Sequence, residues 1–67
     1  MSDAMRVLAA REDLREYRTL GRQKRRLVRE AGRLARQHYP YLAADCWRAV
    51  KIIDERLDAI AQRAARP

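Results

Sequence analysis

Fourteen of the 67 residues are arginine, and eight of them follow one another through the first half of the chain at helical spacing. Arg11, Arg15, Arg18, Arg22, Arg25, Arg29, Arg33 and Arg36 are separated by four, three, four, three, four, four and three residues, with Arg26 alongside. On a helix that spacing draws one continuous ridge. A guanidinium is a planar cation that forks two hydrogen bonds to a phosphate or a carboxylate. The ridge is therefore a row of anion-binding groups about 5 Å apart along the helix axis. The expected contact residues are Arg15, Arg18, Arg22, Arg25, Arg26, Arg29, Arg33 and Arg36.

Nucleic acid, DNA or RNA, is the first partner this chemistry predicts, and an acidic protein surface is the second. A helix of this width fits a DNA major groove or lies along an RNA backbone. Base readout is not indicated, because only Gln23 and Gln37 flank the ridge where amide or hydroxyl side chains would address base edges. A helix-turn-helix centred on Gly21 is rejected: Tyr17 stands where that motif needs a small residue and Arg22 where it needs an apolar one.

The placement of charge supports a partner. Residues 1 to 16 carry a net charge of −1, residues 17 to 37 carry +7, and residues 38 to 67 carry +1. GC-rich coding accounts for a taste for arginine and for twelve alanines, but not for this concentration. Glu12, Glu16 and Glu30 occupy a sector from which they can neutralise arginines three or four residues away.

Other reactive residues are sparse. His38 and Cys46 are a possible base and nucleophile, but no third residue orients them and nothing resembles an oxyanion site, so the chain is not expected to be an enzyme. The same two side chains fall short of the four ligands of a structural zinc site, and no cofactor is expected. Tyr39, Tyr41 and Trp47 gather near one point of the sequence, where they would pack the tip of a turn, stack on bases or anchor in a protein pocket.

The elements that position these groups are helices. Pro40, in His38-Tyr39-Pro40-Tyr41, is the one strong break: its ring removes an amide donor and drives Tyr39 out of the helical region. Before it, Val7, Ala10, Leu14, Tyr17, Gly21, Lys24, Val28, Ala31, Ala35 and His38 recur every three or four residues, with Leu20, Leu27 and Leu34 widening the stripe. This predicts one helix over residues 3 to 38, about 54 Å long; a break near Gly21, giving three helices, is the alternative. The ridge would lie roughly 130° around from that stripe. Lys24 interrupts it and needs water or a carboxylate, either as a snorkelling side chain or as a determinant of register or oligomer state.

After the break, Leu42, Cys46, Ala49, Val50, Ile53, Leu57, Ile60 and Ala64 predict a second helix over about 41 to 66, some 39 Å long. Asp54, Glu55 and Asp58 are expected to pair on the surface with Lys51, Arg56 or Arg63. The fold class is thus all-α, a single domain formed as a long antiparallel hairpin with the first ten or so residues overhanging.

A chain this short makes a marginal core, and its single cysteine cannot form an internal disulfide. Dimerisation into a four-helix bundle is the expected remedy. No stretch approaches the roughly 20 apolar residues of a membrane span, and no apolar leader follows the opening residues, so a cytosolic protein is expected. A basic helix lying on an anionic membrane is disfavoured by the alanines, Gly21 and Lys24 of the first stripe.

Three functions remain: a small nucleic-acid-binding regulator, a small protein-binding inhibitor or adaptor of the kind mobile elements and phages encode, and an assembly subunit whose arginines only solvate it.

Overall fold

The computed structural model describes residues 2–65. Two helices account for nearly all of them, α1 (Asp3–Arg36) and α2 (Pro40–Ala65). They lie side by side as an elongated hairpin of 53 × 15 × 12 Å. The expected end of α2 at Arg66 lies outside the described residues.

Local chemistry explains each helix end. Ser2 caps α1: its hydroxyl accepts from the Met5 amide at 3.3 Å, and Asp3 sets a negative charge in the first turn, where the helix dipole favours it. α1 then runs unbroken through Gly21 and Gly32, so the three-helix alternative is excluded. A glycine inside a helix costs only about 1 kcal/mol against alanine, too little to interrupt 34 residues of otherwise strong helix formers.

The α1 end comes two residues earlier than periodicity predicts. His38 takes a left-handed backbone, φ 68°, while its amide donates to the Ala35 carbonyl at 3.2 Å and the Tyr39 amide to the Leu34 carbonyl at 2.9 Å. These two bonds make a Schellman cap, in which glycine usually holds the left-handed position because a Cβ is strained there. Pro40 then opens α2 at its first helical position, with the Tyr39 carbonyl accepting from the Ala43 amide at 3.0 Å. Replacing His38 with glycine is therefore expected to raise stability by about 1 kcal/mol, seen as a higher midpoint in urea unfolding.

The seam between the helices is thin. Its buried members are Ala31 on α1 and Ala43, Val50 and Ile60 on α2, flanked by half-buried Leu20, Leu27, Leu34, Ile53 and Leu57. This corrects the expected α1 stripe. Leu14 is 50% exposed, Tyr17 44% exposed, and Ala35 and His38 are also outside the seam. The helix has turned so that the Leu20, Leu27, Leu34 column faces α2, because three leucines hide more apolar area than a column containing Gly21 and alanines. On α2, Leu42 and Ala64 are exposed and Ala43 takes the buried place instead.

Ion pairs fix the register. Lys24 Nζ lies 2.6 Å from Asp54, Arg56 grips Glu16 with bonds of 2.6 and 3.1 Å, and Arg63 reaches Asp13 at 2.9 Å. Residue numbers rise on one helix as they fall on the other, so the hairpin is antiparallel. Asp54, Arg56 and Arg63 were expected to pair within α2; they pair across to α1, since the turned α1 face brings Asp13, Glu16 and Lys24 to the seam edge. Lys24 is thus held by a carboxylate rather than reaching past the stripe into water alone. Arg48 pairs with Asp45 within α2.

The Arg56 guanidinium, hydrogen-bonded to Glu16, holds that carboxyl below its ordinary value. A group so depressed adds stability above its unfolded pKa and loses it as pH falls through the folded pKa. Glu16→Gln is accordingly expected to lower the melting temperature at neutral pH, and its difference from wild type is expected to shrink as pH falls through the folded pKa of this carboxyl.

Candidate anion-binding ridge

The turn of α1 toward its leucine column improves the position of the arginines. Arg22 follows nine residues before Ala31, which is about two and a half turns, so it stands on the opposite side of the helix from the most buried residue of α1. The ridge lies closer to 180° than to 130° from the packing face. Arg15, Arg18, Arg22, Arg25, Arg26, Arg29, Arg33 and Arg36 are all exposed. Along the axis they extend for roughly 32 Å.

Seven of these eight have no carboxylate within ion-pairing distance among the described residues. The exception is Arg33, which bonds to Glu30 through Nε at 3.1 Å and through Nη2, and to Gln37 at 3.2 Å. Glu30 is held below the ordinary carboxylate value by this same guanidinium. Glu16, expected to shield the ridge, instead turns to Arg56, and Glu12 makes no ion pair among the described residues. The seam acids Asp13, Glu16 and Asp54 are used on Arg63, Arg56 and Lys24. Cohesion of the hairpin therefore uses Arg56 and Arg63 of α2 and Lys24 of α1, and leaves every ridge arginine but Arg33 without a carboxylate among the described residues.

Open grooves separate the guanidinium groups. One is lined by Arg11, Leu14, Arg15, Arg18 and Arg22, a second by Tyr17, Arg18, Gly21, Arg22 and Arg25, and a third by Arg26, Arg29, Arg33 and Arg36 around Gly32. They form where leucine, tyrosine or glycine leaves room between long side chains. An anionic oxygen entering such a groove meets donors from two successive turns.

The aromatic trio is not packed into the tip. Tyr39 is 53% exposed, Tyr41 86% and Trp47 50%. Cys46 is half-buried on the inner side of α2, and His38 is exposed at the turn. Among the described residues, no helix is long and apolar enough to cross a membrane. Sequence reasoning missed the apolar flank left beside the ridge: the repeat that marks it is visible, but was assigned to the seam with α2. Comparison with known protein families, with characterised proteins and with solved structures finds no match to this chain.

Proposed function

We propose that the chain is a non-enzymatic, homodimeric nucleic-acid-binding protein, of the size of a small regulator, that holds the phosphate backbone with the α1 ridge. The observation that carries this reading is the row of exposed arginines on the side of α1 away from α2, seven of the eight without an internal carboxylate among the described residues. Unpaired guanidinium groups at regular intervals suit a polyanion with regularly spaced charges, and the lack of amide or hydroxyl side chains along the ridge favours contact with backbone over base edges. Dimer formation is favoured by surface area: a compact monomer of this mass exposes about 4,400 Å², whereas this chain exposes 5785 Å².

The test is a titration of nuclease-treated protein against duplex DNA, single-stranded DNA and structured RNA at two salt concentrations. With six or more phosphate contacts, affinity is expected to fall about 10³-fold or more between 50 and 200 mM salt. Absence of binding near physiological salt by a folded protein would reject the proposal.

A second reading is favoured by the exposed Tyr39, Tyr41 and Trp47. Aromatic residues near arginines are typical anchors of protein interfaces. On that reading the chain is an inhibitor or adaptor docked on an acidic or nucleic-acid-binding surface of a larger protein, and it would co-purify with one defined protein after nuclease treatment.

A further inference from the structure

α1 carries two columns with a seven-residue repeat; α2 packs on the first and covers the second only in part, leaving Gly21 and Val28 half-buried and Val7, Leu14 and Ala35 exposed. Leu20, Leu27 and Leu34 face α2. Val7, Leu14, Gly21, Val28 and Ala35 form the second column, roughly 100° around the helix. Val7 is 51% exposed and Leu14 50%. A strict seven-residue repeat keeps a column facing one neighbouring helix along its length. In a four-helix bundle each helix touches two neighbours at about a right angle, and α1 is built for two but has one.

Gly21 points the same way. A Cβ placed there would meet only the far end of the Arg25 side chain at 3.9 Å, so nothing inside the hairpin requires glycine. Helix propensity alone would favour alanine by about 1 kcal/mol. The column is therefore narrow where a neighbour from outside the hairpin can approach closely.

We infer that a second copy of this chain seats on the Val7, Leu14, Gly21, Val28, Ala35 column, with its α2 lying against α1 and the two-fold axis along the helices. This deepens the homodimer part of the proposed function and rests on it. The excess exposed surface, about 1,400 Å² over a compact chain of this mass, is enough for the roughly 800 Å² per partner of a standard interface.

Charge selects α2 of the second copy over its α1. Two α1 columns face to face would oppose Arg18 and Arg25 with their own copies. The Lys24–Asp54 pair puts the Asp54 and Asp58 edge of α2 on the same side of the hairpin as Gly21 and Val28. With a two-fold axis along the helices, the pairs Lys24–Asp54 and Asp13–Arg63 also give the levels across the new contact. Asp58 of the second copy, unpaired among the described residues, stands level with Arg18, and Trp47 of the second copy stands level with the gap between Val28 and Gly32. Apart from Arg18 and Arg25 at the edge of the contact, the ridges remain in solvent on opposite sides of the bundle.

Mass by light scattering and helicity by circular dichroism test this face. The wild type and Ile52→Asp, which changes an exposed residue on the far side of α2, are expected to be dimers. Leu14→Asp and Gly21→Gln are expected to weaken dimerisation at least about tenfold. A monomeric wild type overturns the dimer and the face together. Dimers that survive both α1 substitutions overturn the face alone. A Cys46→Ser, Arg18→Cys, Asp58→Cys chain provides a second measurement that does not depend on a monomer keeping its fold: mild oxidation is expected to yield a covalent dimer, and its absence from a dimeric variant overturns the arrangement.

Discussion

Arg22→Glu combined with Arg29→Glu is expected to weaken nucleic-acid binding about 100-fold or more and to flatten the salt dependence by about two units of slope, while the hairpin becomes no less stable. Both parts follow from the same geometry. Each residue is exposed on the ridge, and neither has a carboxylate partner among the described residues. Removing two phosphate contacts releases two fewer counterions, which is what the slope reads.

Stability moves the other way because Arg22, Arg25, Arg26 and Arg29 are like charges at spacings of three and four. Such pairs each destabilise a helix by about 0.2–0.5 kcal/mol. Glutamate at 22 and 29 turns several of these repulsions into attractions. A variant that melts at or above the wild-type temperature but no longer binds would assign the ridge to recognition and reject the reading in which the arginines only keep an assembly subunit in solution. A variant that binds as before would reject the ridge. Circular dichroism melts and the titration at two salts provide both readouts on one sample.

Ala31→Leu is expected to produce a large loss of stability. Ala31 is fully buried between the helices. A leucine there has no void to enter and must push α2 away or leave its preferred rotamer. Overpacking of this kind costs about 1–3 kcal/mol, against the total of 3–5 kcal/mol that a single core of this size supplies at most. For a domain of this length the melting temperature is expected to fall by about 10 °C. Ala44→Leu, one residue beyond Ala43 and exposed, controls for the change in helix propensity and is expected to stay within about 0.5 kcal/mol of wild type.

These two sites mark how far the sequence could be read. The arginine ridge was legible because its geometry belongs to one helix: spacings of three and four define a face whatever packs on the other side. Pro40 marked the turn for the same local reason, and unbroken periodicity across Gly21 predicted the continuous α1 that is observed. The left-handed His38 carried no such signal, since the cap is ordinarily glycine.

Ala31 and Ala35 show where reading stopped. Both belong to the predicted α1 stripe, yet one is fully buried and the other exposed. The stripe is broad, with two seven-residue columns side by side, and periodicity alone weights them equally. Ion-pair partners were illegible for a related reason: Asp54, Arg56 and Arg63 have plausible partners on their own helix, and only the rotation of α1 brings Lys24, Glu16 and Asp13 within reach.

By itself the sequence determined that the chain is helical, where it turns, and which arginines share a face, because each of these depends on contacts within a few residues. The tertiary structure decided which column of α1 packs against α2, which charges that packing consumes, and therefore which arginines are left without a partner inside the hairpin. Those outcomes depend on the rotation of one helix against another, a choice set by competition between leucine, glycine and alanine columns that no single helix can express.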